Sequence, residues 1–333
     1  MALKLPGRWF RRQAPLLADE ISDAALTRGC AVRLILHAKV ALSDSLRQAV
    51  ARLRAQGHEI EVRVTWEPGD AERFATEAAA DMRVGSVVAG GGDGSINAVV
   101  TGLMDSTIDV LPSLGILPLG TANDFARACG IPGAVSEALE LVTETNAHPV
   151  DVGRVNGRYF LNVATGGFGT DVTLNTPGEL KKVLGGAAYL LTGIGQASSI
   201  SARHAVIEGP EFSWSGGFLA MAVGNGRYAG GGVPVTEHAY IDNGLFDLSI
   251  LPEVTVEHIP DVLRTLLDLG FSAEALDSHM IRARAHAFSV RSETPLQINL
   301  DGEPLQSTHF EFEVLDQAIG LHLPPDTDIL QKN

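Results

Sequence analysis

Cysteine is scarce in this chain of 333 residues, which contains only Cys30 and Cys129. Neither sits at a spacing that builds a disulfide framework or a zinc site, so the thiols suit a reducing, cytoplasmic compartment. Positive charge is also in short supply. Lys and Arg number 25 against 40 Asp and Glu, a formal net charge of −15. A nucleic-acid binder normally carries a basic footprint that displaces phosphate counterions, and this composition argues against that class. No secretory leader is expected, because Arg8, Arg11, Arg12, Asp19 and Glu20 interrupt any apolar core near the start. Long apolar runs are missing as well. The one uncharged stretch of spanning length, Val183 to Ala202, is broken by Gly185, Gly186, Gly193, Gly195 and Gln196. It predicts an interior or cleft-lining helix and no transmembrane segment. What remains fits a soluble protein: 45% hydrophobic and 20% charged residues can bury sizeable cores, over a length that suggests two domains.

The most informative stretch runs Val87-Val88-Ala89-Gly90-Gly91-Gly92-Asp93-Gly94-Ser95-Ile96-Asn97. An apolar strand ends in three glycines, then an acid and a small hydroxyl residue at the mouth of an apolar helical pattern. Backbone without side chains lets several N–H groups converge on one anion, and the helix N-terminus adds partial positive charge. Asp93 is a poor neighbour for a bare phosphate, but a good one for a phosphate-bound divalent cation, since magnesium favours hard oxygen ligands. A second turn of the same kind follows in Leu114–Arg127, where a strand leads through Gly120-Thr121 into a helix. Thr121 is placed to donate its hydroxyl to a phosphate, or to cap the helix with Asp124 three residues on.

Around these turns the first half alternates strand and helix. Val32–His37, Glu59–Thr65 and Ser86–Ala89 read as strands. Ser43–Gln56 and Asp70–Ala80 read as helices, the former with Leu46, Ala49, Val50 and Leu53 on one face. This rhythm predicts a mostly parallel sheet with ligands at the carboxyl ends of its strands, where Thr65 also lies. From about Asp151 the texture changes to short strands, among them Tyr159–Ala164, Phe218–Val223, Phe246–Ile250, Phe288–Val290, Leu296–Leu300 and Phe310–Val314. Their Gly, Pro and Asp-Gly turns predict an antiparallel sandwich, interrupted by a helix over Glu257–Leu269. The resulting division is an extension over 1–30, a nucleotide-binding α/β domain over 31–150 and a β-sandwich substrate domain over 151–315.

Gly90–Asn97 (GGGDGSIN), Leu114–Arg127 (LGILPLGTANDFAR) and Asn299–Leu305 (NLDGEPL) together resemble the bacterial YegS-like lipid kinases of the diacylglycerol kinase catalytic superfamily. Val64–Asp70, Asn162–Gly169, Gly224–Arg227 and Leu323-Pro324-Pro325 match in the same order, from about Val32 to the C-terminus. The resemblance implies a NAD kinase/diacylglycerol kinase-like α/β domain that residues 316–333 rejoin, and an active site in the cleft between the domains. It implies ATP as phosphoryl donor, magnesium (or calcium in its place), and a membrane lipid acceptor reached by peripheral contact. Thr65, Gly90, Gly91, Gly92, Asp93, Gly94, Ser95, Ile96, Asn97, Ala98 and Thr121 are then the nucleotide-binding positions. Asp93 acts through magnesium at the phosphates, and Glu303 is the proton acceptor for a lipid hydroxyl. The acceptor is a glycerolipid such as diacylglycerol or phosphatidylglycerol, against walls from Val183–Leu191, Phe168 and Phe218. A structural metal is implied on Tyr240, Asn243 and Leu245, the first and last through carbonyl oxygens.

Three positions depart from the family pattern. Asn243 replaces an aspartate and removes one negative charge from the metal loop. Ser95 replaces threonine but keeps the hydroxyl. Ala98 stands where glutamate is usual. Two alternatives stay open: a soluble-substrate kinase of the NAD kinase type, which would expect an acid after Asn97, and a non-catalytic nucleotide sensor. The extension carries Arg8-Trp9-Phe10-Arg11-Arg12, cations and aromatics that would suit an interfacial anchor. The sequence leaves the oligomeric state open.

Overall fold

Six consecutive buried residues, Ala31–Leu36, make β1, as expected of a strand covered on both faces. Its one charge, Arg33, is neutralised by Glu61 at 2.8 Å and Asp81 at 3.2 Å. The computed structural model describes residues 28–167, 202–253 and 280–331. In it β1 is flanked by β2 (Ile60–Val64) and β3 (Val84–Gly91), and β4 (Ser113–Pro118) lies beyond β3, all parallel. Helix α1 (Asp44–Ala55) starts on Ser43, whose hydroxyl accepts from Leu46 N, and buries the four apolar residues read from its periodicity. Helix α2 (Asp70–Ala80) is fixed by its first residue, since one Asp70 oxygen accepts from Trp66 N at 2.7 Å and Glu67 N at 3.1 Å.

Helix α3 (Asp93–Met104) packs so closely on α2 that a Cβ on Gly102 would lie 2.1 Å from the Glu72 carbonyl oxygen. Helices α4 (Asp124–Ala128) and α5 (Val135–Glu144) complete this unit. Its core is aliphatic, centred on Leu34, Val87, Val88, Val100, Leu103 and Ile116.

The second unit is antiparallel. It is built from β5 (Ala147–Val155), β6 (Arg158–Phe160), β7 (Val163–Gly167), β8 (Arg203–Glu208) and β9 (Ser213–Gly224), with the short pair β10 (Tyr228–Ala229) and β11 (Val233–Pro234). Strands β12 (Phe246–Pro252), β13 (Ile281–Ala285), β14 (Ala287–Leu300) and β15 (Glu303–His322) follow. This is the expected β-sandwich, with an aromatic core. Phe160 stacks on Phe246 at 5.4 Å, Phe288 on Phe312 at 4.8 Å, and the two stacks meet edge to face.

Strand β15 runs between the two units. It leaves the hairpin with β14, continues antiparallel to β5, and meets β4 in parallel at Leu321 and Leu114. A bulge at Gln317 (φ 47°) lets it change register, and the Gln317 amide is taken by Asp151 Oδ1 at 2.8 Å. At its end His322 is buried between Ser113 Oγ at 2.8 Å and Thr145 Oγ1 at 3.4 Å, and burial lowers its pKa.

Several local expectations are revised. Phe288–Val290 and Leu296–Leu300 are parts of one strand with a register shift between Arg291 and Leu296. Tyr159–Ala164 splits into β6 and β7 at a corner. Phe218, expected to wall the acceptor site, is 1% exposed and packs on Trp214 inside the second core. The predicted helix Glu257–Leu269, the stretch Val183–Ala202 except its last residue, Phe168 and the basic-aromatic extension lie outside the described residues.

Candidate active site

Two glycine turns meet at the carboxyl edge of the parallel sheet. Gly91 ends β3 and Gly92 caps α3; the Gly92 carbonyl accepts from Ser95 N and Ile96 N, which leaves the Asp93 and Gly94 amides of the first turn without an intrahelical acceptor. A Cβ on Gly120, after β4, would come within 2.3 Å of the Gly92 Cα, so the turns touch backbone to backbone. A Cβ on Gly91 would meet Ser95 Oγ at 2.3 Å, whereas one on Gly94 would meet nothing within 4 Å. Gly94 therefore faces open space at the helix mouth. Thr121 is exposed, and its hydroxyl, like those of Thr65 and Ser95, has no hydrogen-bond partner among the described residues. The cap of α4 is Asn123 (φ 52°), not Thr121; its Oδ1 accepts from Gly120 N at 2.9 Å. That leaves Thr121 free, and closes the alternative in which it capped the helix.

Asp93 is half-buried and turned toward α4. Its carboxylate accepts from Asp124 N at 3.3 Å and Phe125 N at 3.2 Å. Asp124 itself is 4% exposed. Its Oδ2 accepts from Gly231 N at 2.9 Å, while Oδ1 is buried without a partner among the described residues. Burial raises the Asp124 pKa, and Asp93 raises it further by repulsion. Two carboxylates thus stand beside the phosphate-type turn with an unmet demand for positive charge. Ile96, by contrast, is a core residue at 2% exposure, so only its backbone is available to a ligand.

The third part comes from the β14–β15 hairpin. Leu300 pairs with Glu303 across a two-residue turn in which Asp301 has φ 49° and Gly302 φ 109°, values that an Asp-Gly turn of this kind requires. Gly302 N donates to Asn299 Oδ1 at 2.7 Å and stiffens the tip. Glu303 is exposed and lines a cavity of about 220 Å³ with Gly94, Asn97, Ala98, Arg158 and Tyr159. Glu303 thus shares one cavity with the first turn of α3, although the two lie about two hundred residues apart in the chain.

The Asn97 side-chain nitrogen is already engaged by the protein. This Nδ2 donates to Tyr159 O at 3.0 Å and to Asp301 Oδ2 at 3.3 Å, across the gap between α3 and the second unit. Asp301 also accepts from Leu161 N at 2.6 Å, Asn162 N at 3.2 Å and Val163 N at 3.0 Å. Burial of this carboxyl pushes its pKa up to about 6, against the pull of those N–H donors. A raised native pKa favours folding while the group is protonated in both states, and that advantage is lost as pH rises through the native value. Relative to an Asp301→Asn variant, wild-type unfolding free energy is therefore expected to be greatest below pH about 4 and lower above pH about 6. The move from 3.8 to about 6 corresponds to a difference on the order of 3 kcal/mol. Denaturant titrations of both proteins across that range measure it, and parallel curves would refute the assignment.

Tyr240, Asn243 and Leu245 fall in one loop, but the Asn243 oxygen is already engaged, accepting from Leu245 N at 3.1 Å. Negative charge around this loop comes from elsewhere. Asp151 Oδ2 accepts from Gly244 N at 2.7 Å, and its pKa is raised by burial, with Asp316 and Asp242 adding repulsion. Among the described residues no group of three or more His, Cys, Asp or Glu side chains is arranged to hold a metal ion. Sequence reading missed Asp301 beyond its turn role, Asp124 as a second buried acid, Tyr159 beyond its place in a strand, and Arg158 altogether. The Asn156-Gly157 turn before Arg158 (φ 48° and 81°) was the available signal, since it marks a hairpin tip.

Comparison with known proteins matches two family models. Residues 34–155 match the diacylglycerol kinase catalytic domain, and residues 167–323 the YegS C-terminal NAD kinase beta sandwich-like domain. The chain is 48% identical over 298 residues to a "Probable lipid kinase YegS-like" of Pseudomonas syringae pv. syringae (strain B728a), covering 89% of this chain and 94% of that protein. A protein of the same description from Pseudomonas aeruginosa PAO1 is 48% identical over 301 residues, covering 90% of this chain and 97% of that one. A crystal structure described as "a putative diacylglycerol kinase from Bacillus anthracis str. Sterne" superposes with a TM-score of 0.75 at 25% identity. It covers 92% of this chain and 100% of that one.

Proposed function

This chain belongs to the lipid kinase family that joins a diacylglycerol kinase catalytic domain to a YegS-type β-sandwich, and from that membership we propose that it phosphorylates a glycerolipid hydroxyl with ATP. The observation that carries the proposal is the cavity shared by Glu303 and the first turn of α3. Phosphoryl transfer needs a nucleotide held by its phosphates, an acceptor oxygen placed in line, and a group that takes the acceptor proton.

The chain supplies each part. Gly90–Ser95 and Thr121 offer amides and hydroxyls to the phosphates, and Thr65, at the end of β2, extends the ligand edge toward the nucleoside. Phosphates approach most closely at Gly94, where no side chain intervenes. Glu303, on a stiff hairpin, takes the proton from the lipid hydroxyl. Arg158, lining the same cavity, offsets negative charge that gathers on the transferring group. Magnesium fits beside Asp93 and Asp124, whose buried orphan oxygen and mutual repulsion favour a cation; when bound it would screen the phosphates. A structural metal on Tyr240, Asn243 and Leu245 would draw on the field of Asp151, Asp242 and Asp316 more than on Asn243 itself.

Access to lipid is by peripheral contact. No helix of the described residues is long and apolar enough to cross a membrane. Trp66 and Leu42, 92% and 74% exposed, stand in the loops near the carboxyl edge of the sheet and suit an interface.

The test is transfer of γ-labelled phosphate from ATP and magnesium to mixed-micelle glycerolipids, with NAD as a parallel acceptor. Label in a lipid is the expected result. Label in NAD alone, or ATP binding without any transfer, would overturn the proposal in favour of a soluble-substrate kinase or a sensor.

A further inference from the structure

We propose that Asp301 is a positioning residue that registers Glu303 against the nucleotide loop, acting through Asn97. The inference rests on the lipid kinase reading of the cleft, and its argument is geometric. Asn299 to Glu303 behave as one rigid tip, closed by the Leu300–Glu303 pair and the Gly302–Asn299 hydrogen bond. A tip of this kind has a defined shape, but its shape does not say where it stands relative to α3.

Asp301 sets that placement. Three consecutive amides, Leu161 to Val163, turn toward its carboxylate at the corner where β6 ends and β7 begins. The fourth donor is Asn97 on α3, which also holds the Tyr159 carbonyl on β6. One carboxylate therefore ties three segments together: the hairpin that carries Glu303, the β6–β7 corner, and the helix whose first turn faces the phosphates. Glu303 is two residues from this node and Gly94 three residues from Asn97. A shift at the node would be passed to both sides of the cavity.

The chemistry favours a carboxylate here. Two acceptor oxygens with about four lone-pair sites can meet four N–H donors, whereas an amide offers one oxygen and turns its own N–H groups against donors. Burial opposes the charge, as the raised pKa records, so the site retains an ion where a neutral group would be easier to bury.

The test uses full-length Asp301→Asn, Asn97→Ala and the double variant. Asp301→Asn is expected to lower kcat for lipid phosphorylation about 100-fold, the scale of an ångström-size misplacement, with ATP Kd within about twofold. Asn97→Ala leaves the three backbone donors on Asp301, so the corner stays formed, and kcat is expected to fall about tenfold on the same scale of misplacement. The double variant should be no worse than Asp301→Asn alone, because both changes cut one link. Hydrogen exchange at the Gly302 and Glu303 amides should be faster in both single variants.

A fall in ATP affinity that matches the fall in kcat for Asn97→Ala would assign Asn97 to the nucleotide and overturn the proposal. So would multiplicative effects in the double variant, or unchanged hairpin exchange. If wild-type protein binds ATP but labels no lipid, while exchange at the hairpin still accelerates in Asn97→Ala, the lipid kinase reading fails and the registration stands.

Discussion

Glu303→Gln is expected to reduce kcat for lipid phosphorylation by a factor of about 10³ to 10⁴, at the upper end of what a general base contributes. The substitution preserves size and removes the negative charge, and with it the ability to take a proton. Glu303 is exposed and its side chain has no hydrogen-bond partner among the described residues, so folding has little stake in its charge. ATP affinity should stay within about twofold, because the phosphates are held by the turns and not by the hairpin. The measurement pairs labelled-lipid production with calorimetric ATP binding on the same preparations. A variant with kcat within threefold of wild type would remove Glu303 from the reaction and leave the cavity without an acceptor base. A variant that loses ATP binding in step with kcat would place Glu303 in the nucleotide site instead.

Much of this site was legible in the chain because its parts are local. Val87–Asn97 announces a strand, a turn and a helix within eleven residues, and the structure places them at β3 and α3 with Asp93 as the first helical residue. The Asp301-Gly302 turn is likewise a two-residue signal, and it closes the hairpin as read. What the chain did not disclose is the cross-connection. Nothing in the spacing of Asn97 and Asp301 indicates a bond across about two hundred residues, and the amide donors at Leu161–Val163 carry no side-chain signature. The same reason explains Phe218. An aromatic in a short strand is consistent with a lipid wall or a core, and only the packing against Trp214 decides it. Strand β5 was missed because Ala147, His148 and Pro149 do not alternate; its pairing is imposed by the long β15. Element type follows from local sequence here, whereas the partners of polar side chains follow from topology.

The glycine turns give the second large effect, and two substitutions separate the ligand's space from the protein's. At Gly94 a methyl group would enter open space, and alanine is the better helix former by about 1 kcal/mol, so Gly94→Ala should melt no lower than wild type. Its ATP affinity should nevertheless fall by about 10- to 100-fold, because the added carbon occupies the approach of a phosphate to first-turn amides. At Gly120 the new carbon would lie 2.3 Å from the Gly92 Cα and 2.9 Å from the Gly92 nitrogen, backbone atoms that cannot rotate away. Gly120→Ala should therefore cost about 1–3 kcal/mol of stability as an overpacked contact and lose ATP affinity by at least about 100-fold, since both turns must shift. The two variants are thus expected to share a binding defect and to differ in the sign of their stability change. Thermal melts with and without ATP read both quantities at once, since a ligand that binds only the folded state raises the midpoint. Wild-type ATP affinity in Gly94→Ala would mean that the open face of α3 is not where the phosphates bind. The anion would then have to be sought at Thr121 and the α4 turn.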